Sequence, residues 1–288
     1  MVENTENIIN PENIRVEPDM ELLDAAEKLG RPIIYTSYVT NGELAIARFN
    51  KNGETRILTE LTNEVDWKKD YLSKYIVSKM IITATAYLRR LNLMGENAQN
   101  VLNMMTAGIY SDLGDRKINE LGFKKAEPDV GILSTSLDIL PLPKQIFIPD
   151  RKIVVFTTNQ MAESEKAEEL RKTGIIVVPT GVEGADGAKI ADYLNVQHYE
   201  TVMMTTGPRV LKVFMDAGKM DYVFLSIVDR EISGKVVTIL PEGKGFEDYG
   251  FTLVTTEGSE KVKTNDGGVY SQIYQKWVKN ETLKALRV

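Results

Sequence analysis

Short apolar runs alternate with amphipathic segments along the second half of the chain. The pattern predicts strands at 153–157, 175–179, 201–204 and 222–228 and helices at 162–173, 186–194 and 208–217. Strands that alternate with helices at this spacing indicate a parallel sheet with helices on its faces.

The pattern of the first half is more mixed. It predicts a helix at 20–29, a strand at 33–39 that turns at Asn41-Gly42 into a return strand at 43–49, and a further strand at 55–58. A long helical period covers 64–92, with a break expected at the β-branched run 81–84, and strands follow at 101–106 and 130–133. We interpret residues 1–30 as an arm with one short helix, and 31–288 as a single domain.

The character changes after Arg230. Four antiparallel strands are predicted at 236–240, 249–255, 261–264 and 269–277. Turns are expected at Gly258 and at Asp266-Gly267-Gly268, because glycine adopts the backbone angles that tight turns require.

The turn that leaves the strand 201–204 reads Thr205-Thr206-Gly207-Pro208 and opens a helix. The free N–H groups and the dipole of a first helical turn attract anions, and Gly207 leaves room for a phosphate beside the backbone. Thr205 and Thr206 supply hydroxyl donors. The alternative is that Thr206 only caps the helix and Gly207 only makes the turn.

Composition limits the chemistry that this chain can perform. Its 288 residues are 43% hydrophobic and 26% charged, with a net charge of -6, which argues against a nucleic-acid binder and against attraction to anionic membranes. There is no cysteine. Cysteine nucleophiles, disulfides and thiolate metal sites are therefore excluded, and a cytoplasmic protein is expected.

His198 is the only histidine, so a site with several histidine ligands is impossible, and a loop or surface position is expected for it. We find no spaced acidic motif for a metal. The first residues lack the basic and apolar regions of a signal peptide, and no apolar run approaches membrane length.

Other motifs give weaker signals. The glycines of the run 181–188 do not fit G-x-G-x-x-G, and neither a phosphate-binding P-loop nor a G-x-S-x-G elbow is present. Glu43, Asp112 and Asp115 are carboxylates near predicted strand ends, where a catalytic role and a solvated loop position are both open.

The order of these segments resembles the C-terminal reductase domain of the bifunctional riboflavin-biosynthesis deaminase–reductase, a relative of dihydrofolate reductase, over residues 31–279. The run that contains Asn41-Gly42 resembles the family's S-x-D-G-K motif. T-A-G-I-Y-S-D, with Gly108, resembles G-A-G-T-V-x-x-D. M-M-T-T-G-P-R-V-L resembles the E-G-G-P-x-L segment.

The sequence departs from the family pattern at several motif positions, two of which are acidic in the family. Asn41 replaces the motif's Asp, Thr205 and Thr206 replace Glu and Gly, and Ile109 replaces Thr. No basic residue closely follows 130–133, where such reductases hold the 2′-phosphate of NADPH. The deaminase zinc site needs cysteines, so deamination is excluded.

The resemblance implies a dihydrofolate reductase-like α/β fold, with a mostly parallel central sheet flanked by helices and antiparallel C-terminal strands. It implies an NADPH-dependent reductase, with NADH as the other cofactor considered, that acts on a ribosylaminopyrimidine phosphate or a similar small heterocycle. A homodimer is expected, with no nucleic-acid or membrane partner.

The resemblance also implies site residues. The catalytic candidates are Asn41, Glu43 and Thr205, and the substrate-binding candidates are Thr36, Asn41 and Gly42. The cofactor-binding candidates are Gly108, Ser134, Thr135, Ser136, Thr157, Thr158, Thr206, Gly207, Pro208, Arg209 and Val210. The alternatives are a non-catalytic relative that binds a nucleotide or a partner and, with less support, a dihydrofolate reductase proper.

Overall fold

The computed structural model describes residues 8–10, 13–53, 55–84, 128–139, 147 and 150–287. These residues form a mixed α/β fold with a mostly parallel central sheet, flanking helices and antiparallel C-terminal strands, as predicted. The chain divides into two compact units. Unit 1 comprises residues 1–19, 35–75 and 221–288, and unit 2 comprises 20–34 and 76–220.

Unit 2 contains five neighbouring parallel strands in the order β8-β4-β5-β6-β7. These are β4 (Met80–Ala84), β5 (Asp129–Leu133), β6 (Ile153–Thr158), β7 (Ile176–Gly181) and β8 (Thr201–Met204). Every side chain of β6 and β8 is buried. Such continuous burial is typical of parallel strands covered on both faces.

The helices of unit 2 follow their local end signals. They are α1 (Met20–Leu29), α3 (Asn159–Ala162), α4 (Glu165–Lys172), α5 (Gly187–Val196) and α6 (Pro208–Asp216). The helix predicted at 162–173 begins later, at Glu165, because the side chain of Ser164 caps it by accepting the N–H of Ala167, and Ala162 is instead the last residue of α3. Gly187 of α5 lies against α6, where an added Cβ would stand 2.6 Å from the main-chain oxygen of Val213.

Unit 1 contains the strand order β11-β12-β9-β1, in which β1 is parallel to β9 and the other two neighbouring pairs are antiparallel. The bounds are β1 (Ile33–Asn41), which enters unit 1 at Tyr35, β9 (Tyr222–Val228), β11 (Phe251–Lys263) and β12 (Val269–Lys279). The helix α7 (Asn280–Leu286) follows β12.

A second, three-stranded antiparallel sheet in unit 1 has the order β10-β2-β3. Its strands are β2 (Ala45–Phe49), β3 (Thr55–Ile57) and β10 (Val236–Thr238). The return strand predicted after Asn41-Gly42 is therefore real, but it pairs with β10 and β3 and forms no hairpin with β1. Ala45, Leu58, Leu61 and Val228 form the core beneath it.

Two further expectations need correction. The period predicted from 64 is helical as far as Val77, as a π-helix (Asp66–Tyr71) and α2 (Leu72–Val77). The break expected at 81–84 is present, but this run is the strand β4, because it pairs with β5 and β8, and residues 85–92 lie outside the described residues. Gly258 does not make a turn. It lies within β11, one continuous strand whose pairing with β12 shifts register between Glu257 and Glu260.

Candidate functional site

The candidate site lies in unit 2, at the edge of the sheet where the parallel strands end. Thr83 of β4 is level with Ile132 of β5, which is level with Val155 of β6. Thr157 is two residues beyond Val155, so alternation places it on the same face as Thr83.

Thr83 and Thr157 begin a row of hydroxyl groups on this face. Thr205, at the end of β8, extends the row. Met204 is level with Ile82, and the backbone N–H of Thr205 donates to the main-chain oxygen of Ile82 at 2.9 Å. Thr205 is therefore level with Thr83 and on the same face. Its hydroxyl group lies 3.5 Å from the same oxygen, at the limit of a hydrogen bond.

Two hydroxyl groups of the row have no protein partner. Thr83 is fully buried and Thr157 is 1% exposed, and within the described part of the chain neither Oγ1 atom makes a hydrogen bond. An unsatisfied buried hydroxyl is unfavourable by about 1–3 kcal/mol. These two groups are therefore available to a water molecule or to a polar ligand.

The first turn of α6 lies at the same edge, directly after β8. Gly207 is the N-cap and provides no side-chain cap, and Pro208 occupies the first helical position. The N–H groups of Gly207 and Arg209 donate no hydrogen bond within the described residues, whereas Val210 donates to the oxygen of Gly207 at 3.2 Å. The free donors and the helix dipole make this turn attractive to an anion.

The backbone conformation at position 207 does not require glycine. Its φ is -80°, which any residue adopts, and no atom of the described residues lies within 4 Å of a Cβ added there. The described part of the chain therefore leaves the space in front of the turn open. Arg209 is exposed and forms no ion pair with any described residue, so its positive charge is free at this position.

The loop after β5 brings a cation to this edge that the sequence did not reveal. Nζ of Lys166, on α4, forms an ion pair with Asp138 and lies 3.4 Å from the main-chain oxygen of Ser136. Lys166 is 33 residues beyond the end of β5, so no spacing within the loop indicates it. Ser136 and Thr135 are exposed beside it.

Two of the hydroxyl groups predicted to bind the cofactor already accept hydrogen bonds from backbone N–H groups. Oγ of Ser134 accepts the N–H of Leu137 at 3.0 Å, and Oγ1 of Thr158 accepts the N–H of Met161 at 3.2 Å as the cap of α3. Both retain a hydroxyl hydrogen that a ligand can accept.

The glycine-rich run after β7 is a tight connection into α5. A Cβ on Gly181 would stand 2.1 Å from the main-chain oxygen of Gly184, and Asp186 caps the helix by accepting the N–H groups of Ala188 and Lys189. His198 is exposed in the turn between α5 and β8, as predicted, with a φ of 59°. It lies at the amino end of β8, away from the row of hydroxyl groups.

The predicted substrate residues lie in unit 1. Asn41 is 2% exposed, and its Oδ1 accepts the N–H groups of Glu43 at 3.1 Å and Ala45 at 3.0 Å. These two bonds fix the side-chain amide, with Leu44 held at a φ of 60° between them. The amide nitrogen of Asn41 makes no hydrogen bond with the described residues, so it remains a donor.

The other residues of unit 1 that were predicted to bind substrate or to take part in catalysis differ in exposure. Gly42 and Glu43 are exposed, whereas Thr36 is completely buried in β1. Gly108, Asp112 and Asp115 lie outside the described residues. Among those that are described, no cluster of three or more His, Asp or Glu side chains is arranged for a metal ion, and no helix is long and apolar enough to cross a membrane.

No protein-family model matches the sequence, and no curated protein matches it significantly. Solved structures are similar to it. The crystal structure of a diaminohydroxyphosphoribosylaminopyrimidine deaminase/5-amino-6-(5-phosphoribosylamino)uracil reductase from Thermotoga maritima superposes with a TM-score of 0.56 and 13% identity, over 90% of this chain and 60% of that chain.

Two shorter proteins are similar over most of the chain, with lower scores. A pyrimidine reductase-like protein from Corynebacterium diphtheriae gives a TM-score of 0.48 and 16% identity over 91% of this chain and 98% of its own. A riboflavin biosynthesis reductase from Saccharomyces cerevisiae gives a TM-score of 0.46 and 10% identity, over 90% of this chain and 98% of its own. The chain thus shares its fold with the deaminase/reductase from Thermotoga maritima and spans 60% of the length of that chain.

Proposed function

We propose that this protein is an NAD(P)H-dependent reductase of the riboflavin-biosynthesis type, which transfers hydride to a ribosylaminopyrimidine phosphate or a similar heterocycle. The observation that carries the proposal is the uncapped first turn of α6. Its free N–H groups at Gly207 and Arg209 adjoin a buried row of hydroxyl groups in which Thr83 and Thr157 have no partner among the described residues.

These residues fit the chemistry of a dinucleotide. The pyrophosphate would be held by Thr206, Gly207, Arg209 and Val210, beside the ring of Pro208, because main-chain donors and a free guanidinium group match its charge. The other candidates that would line the cofactor are Ser134, Thr135, Ser136, Thr157 and Thr158. We add Thr83 to them, since its hydroxyl group is on the same face as that of Thr157.

We propose NADPH as the preferred cofactor and NADH as the weaker one. Lys166 supplies the basic group that the sequence lacks directly after β5, although Asp138 shares its charge. The nicotinamide, when bound, supplies the hydride. The protein contributes alignment of the electrophilic carbon, which is worth several kcal/mol of the barrier.

The substrate would lie near Asn41, Gly42 and Thr36 of unit 1. Asn41 cannot supply the proton that must accompany hydride transfer, because its side-chain amide is not an acid, and its oxygen is engaged in the turn. Its amide nitrogen can hold an acceptor group of the substrate. The proton would come from water, from Glu43, whose side chain is exposed, or from the substrate's own phosphate. Thr205 would orient the substrate or cofactor.

The experiment that tests the cofactor site is a thermal-melting titration with NADPH, NADH and NADP⁺. A ligand that binds only the folded state raises the melting temperature as its concentration increases. Gly207→Asp places a carboxylate where the phosphate would lie and should abolish the shift. Val196→Asp is the matched control, because Val196 is 68% exposed at the end of α5 and should leave the shift unchanged.

A second candidate is a non-catalytic relative that binds a nucleotide without reducing a substrate. The observation in its favour is that Oδ1 of Asn41 is committed to two main-chain N–H groups, so this position acts first as a structural one. A melting shift with NADPH, combined with no oxidation of NADPH by any ribosylaminopyrimidine or pteridine, would favour this candidate.

We also propose a homodimer that uses β11. This strand lies at the edge of the strand order of unit 1, and Leu253 and Val254 on it are 39% and 43% exposed. An edge strand with adjacent exposed apolar residues is a template for pairing with a second copy.

A further inference from the structure

The π-helix Asp66–Tyr71 carries a carboxylic acid into the interior of unit 1. Asp66 is 5% exposed. Its Oδ2 accepts a hydrogen bond from Nδ2 of Asn63 at 2.6 Å, and its Oδ1 accepts one from Nε2 of Gln272 on β12 at 2.5 Å. Burial raises the pKa of Asp66 to about 8, against the opposing effect of the hydrogen bonds, so the group is uncharged at neutral pH.

The charged neighbours do not offset this burial. Asp70, one turn along the π-helix, raises the pKa of Asp66 further. The cation beside them is already engaged: Nζ of Lys74 on α2 lies 2.6 Å from Oδ1 of Asp70 and 3.9 Å from Oδ2 of Asp19. Ser37 of β1 donates to the other oxygen of Asp70. Among the described residues, no cation pairs with Asp66.

The strands β11 and β12 add further titratable groups. The hydroxyl group of Tyr274 on β12 accepts the N–H of Gln272 at 2.7 Å, which links it to the buried acid. Lys69 lies 4.6 Å from the ring centroid of Tyr274 and 3.4 Å from carboxylate oxygens of Glu257 and Glu260 on β11. The positive charge of Lys69 is therefore also shared among groups other than Asp66.

An N-terminal arm lies across this region. The arm is defined here as residues 8–10 and 13–19. At one end the N–H of Ile9 donates to the main-chain oxygen of Lys261 on β11 at 3.1 Å. At the other end the N–H of Asp19 donates to the main-chain oxygen of Ser73 on α2 at 2.9 Å. The arm is thus attached at one end to β11 and at the other to α2, which directly follows the π-helix that carries the buried acid.

The arm also supplies apolar cover. Ile9 and Ile14 pack against a cluster formed by Val65, Val262 and Tyr274. Val65 directly precedes the acid in the chain, and Tyr274 belongs to its hydrogen-bond network. If the arm lifted, water would reach Tyr274 and, through it, the network.

We propose that the arm is a strap that closes over the uncharged carboxyl group of Asp66 and is released when that group ionises. Closing the strap excludes water from the acid, so closing favours the protonated form. Linkage requires the converse, that ionisation favours the open strap. Between the pKa of the open state and the pKa of the closed state, closing therefore takes up a proton from solvent.

The expected size of the effect follows from this linkage. In the open state the acid is hydrated and its pKa is lower than in the closed state. The opening constant of the strap then rises with pH by up to about tenfold per unit, and it levels off above the closed-state pKa of about 8.

Hydrogen–deuterium exchange of the arm amides tests the proposal on the full-length protein between about pH 6 and about pH 9, with rates corrected for base-catalysed intrinsic exchange. The opening constant should rise at least about tenfold and then level off. Asp66→Asn should remove this pH dependence. Glu64→Gln, an exposed acid two residues away, should behave as the unmodified protein.

The proposal is overturned if the unmodified protein shows no pH dependence in the arm, or if Asp66→Asn retains it. Should Asp66→Asn fail to fold by circular dichroism, Ile14→Ala gives a second test, since it keeps the acid and weakens the apolar cover. It should raise the opening constant at every pH and lower the pH at which the constant levels off. An unchanged levelling pH would equally overturn the proposal.

Discussion

The hydroxyl group of Thr180 on β7 donates to the main-chain oxygen of Thr157 on β6 at 3.1 Å, whereas the hydroxyl group of Thr157 itself has no partner among the described residues. Both side chains are buried, at 0% and 1% exposed. The two threonines therefore have the same chemistry and burial but opposite hydrogen-bond status.

This difference predicts opposite effects of the same substitution. Thr180→Val should lower the free energy of unfolding by about 1 kcal/mol, because it removes a satisfied buried bond. Thr157→Val should leave the unliganded protein equally stable or more stable, and should weaken NADPH binding about tenfold. Chemical denaturation and the melting titration measure the two quantities. Equal destabilisation by both variants would contradict the assignment of Thr157 as an unpaired group.

Gly207→Ala separates stability from binding at the first turn of α6. The added Cβ lies more than 4 Å from every atom of the described residues and the φ of -80° suits alanine, so the melting temperature of the free protein should change little. If a phosphate lies against the backbone there, the methyl group should weaken its binding about tenfold or more. An unaffected NADPH affinity would remove Gly207 from the site.

The side-chain oxygen of Asn41 is predicted to stabilise the turn that follows β1. Asn41→Ala should lower the free energy of unfolding by about 1–3 kcal/mol, because it leaves the N–H groups of Glu43 and Ala45 without an acceptor. Asn41→Asp keeps the acceptor and should preserve stability. Denaturant unfolding of the two variants compares them directly, and similar losses in both would show that the turn does not depend on this oxygen.

The buried acid predicts how stability varies with pH. The pKa of Asp66 is raised by burial from 3.8 to about 8 in the folded protein. Its contribution to the free energy of unfolding is therefore fully present below about pH 4 and is lost as the pH rises through about 8, a loss of up to about 6 kcal/mol. Asp66→Asn should flatten this fall between pH 4 and 8, as measured by denaturant unfolding across pH. A fall of the same size in the variant would assign it to other groups.

The edge strand β11 gives a prediction about assembly. Val254→Lys places a charge on an exposed position of the strand and should shift a homodimer to monomers, because a buried lysine without a partner disfavours pairing of edges. Light scattering during size-exclusion chromatography measures the change. Val196→Lys, at an exposed position of α5, is the control. A dimer that persists in Val254→Lys would place the interface elsewhere.

Some elements could be predicted from the sequence because their end signals are local. The turn Gly207-Pro208 and Gly218 bound α6 closely, and Gly30, at a φ of 61°, ends α1 where expected. The order of strands and helices after residue 150 was sufficient to indicate the fold, because alternating elements admit few topologies.

Other features depend on partners that are distant in the chain. The run that forms β4 continues a helical pattern, and only its pairing with β5 and β8 makes it a strand. Lys166 reaches Asp138 across 28 residues, and Gln272 reaches Asp66 across 206. No local spacing contains these contacts, so the cation near Ser136 and the buried acid were both missed.

The central claim is that this protein transfers hydride from a nicotinamide cofactor. Steady-state oxidation of NADPH in the presence of 5-amino-6-(5-phosphoribosylamino)uracil tests it most directly, in a comparison of the unmodified protein with Gly207→Asp. The account predicts oxidation that depends on both compounds and is lost in the variant. Oxidation that persists in Gly207→Asp, or no oxidation by a protein whose melting temperature NADPH raises, would contradict it.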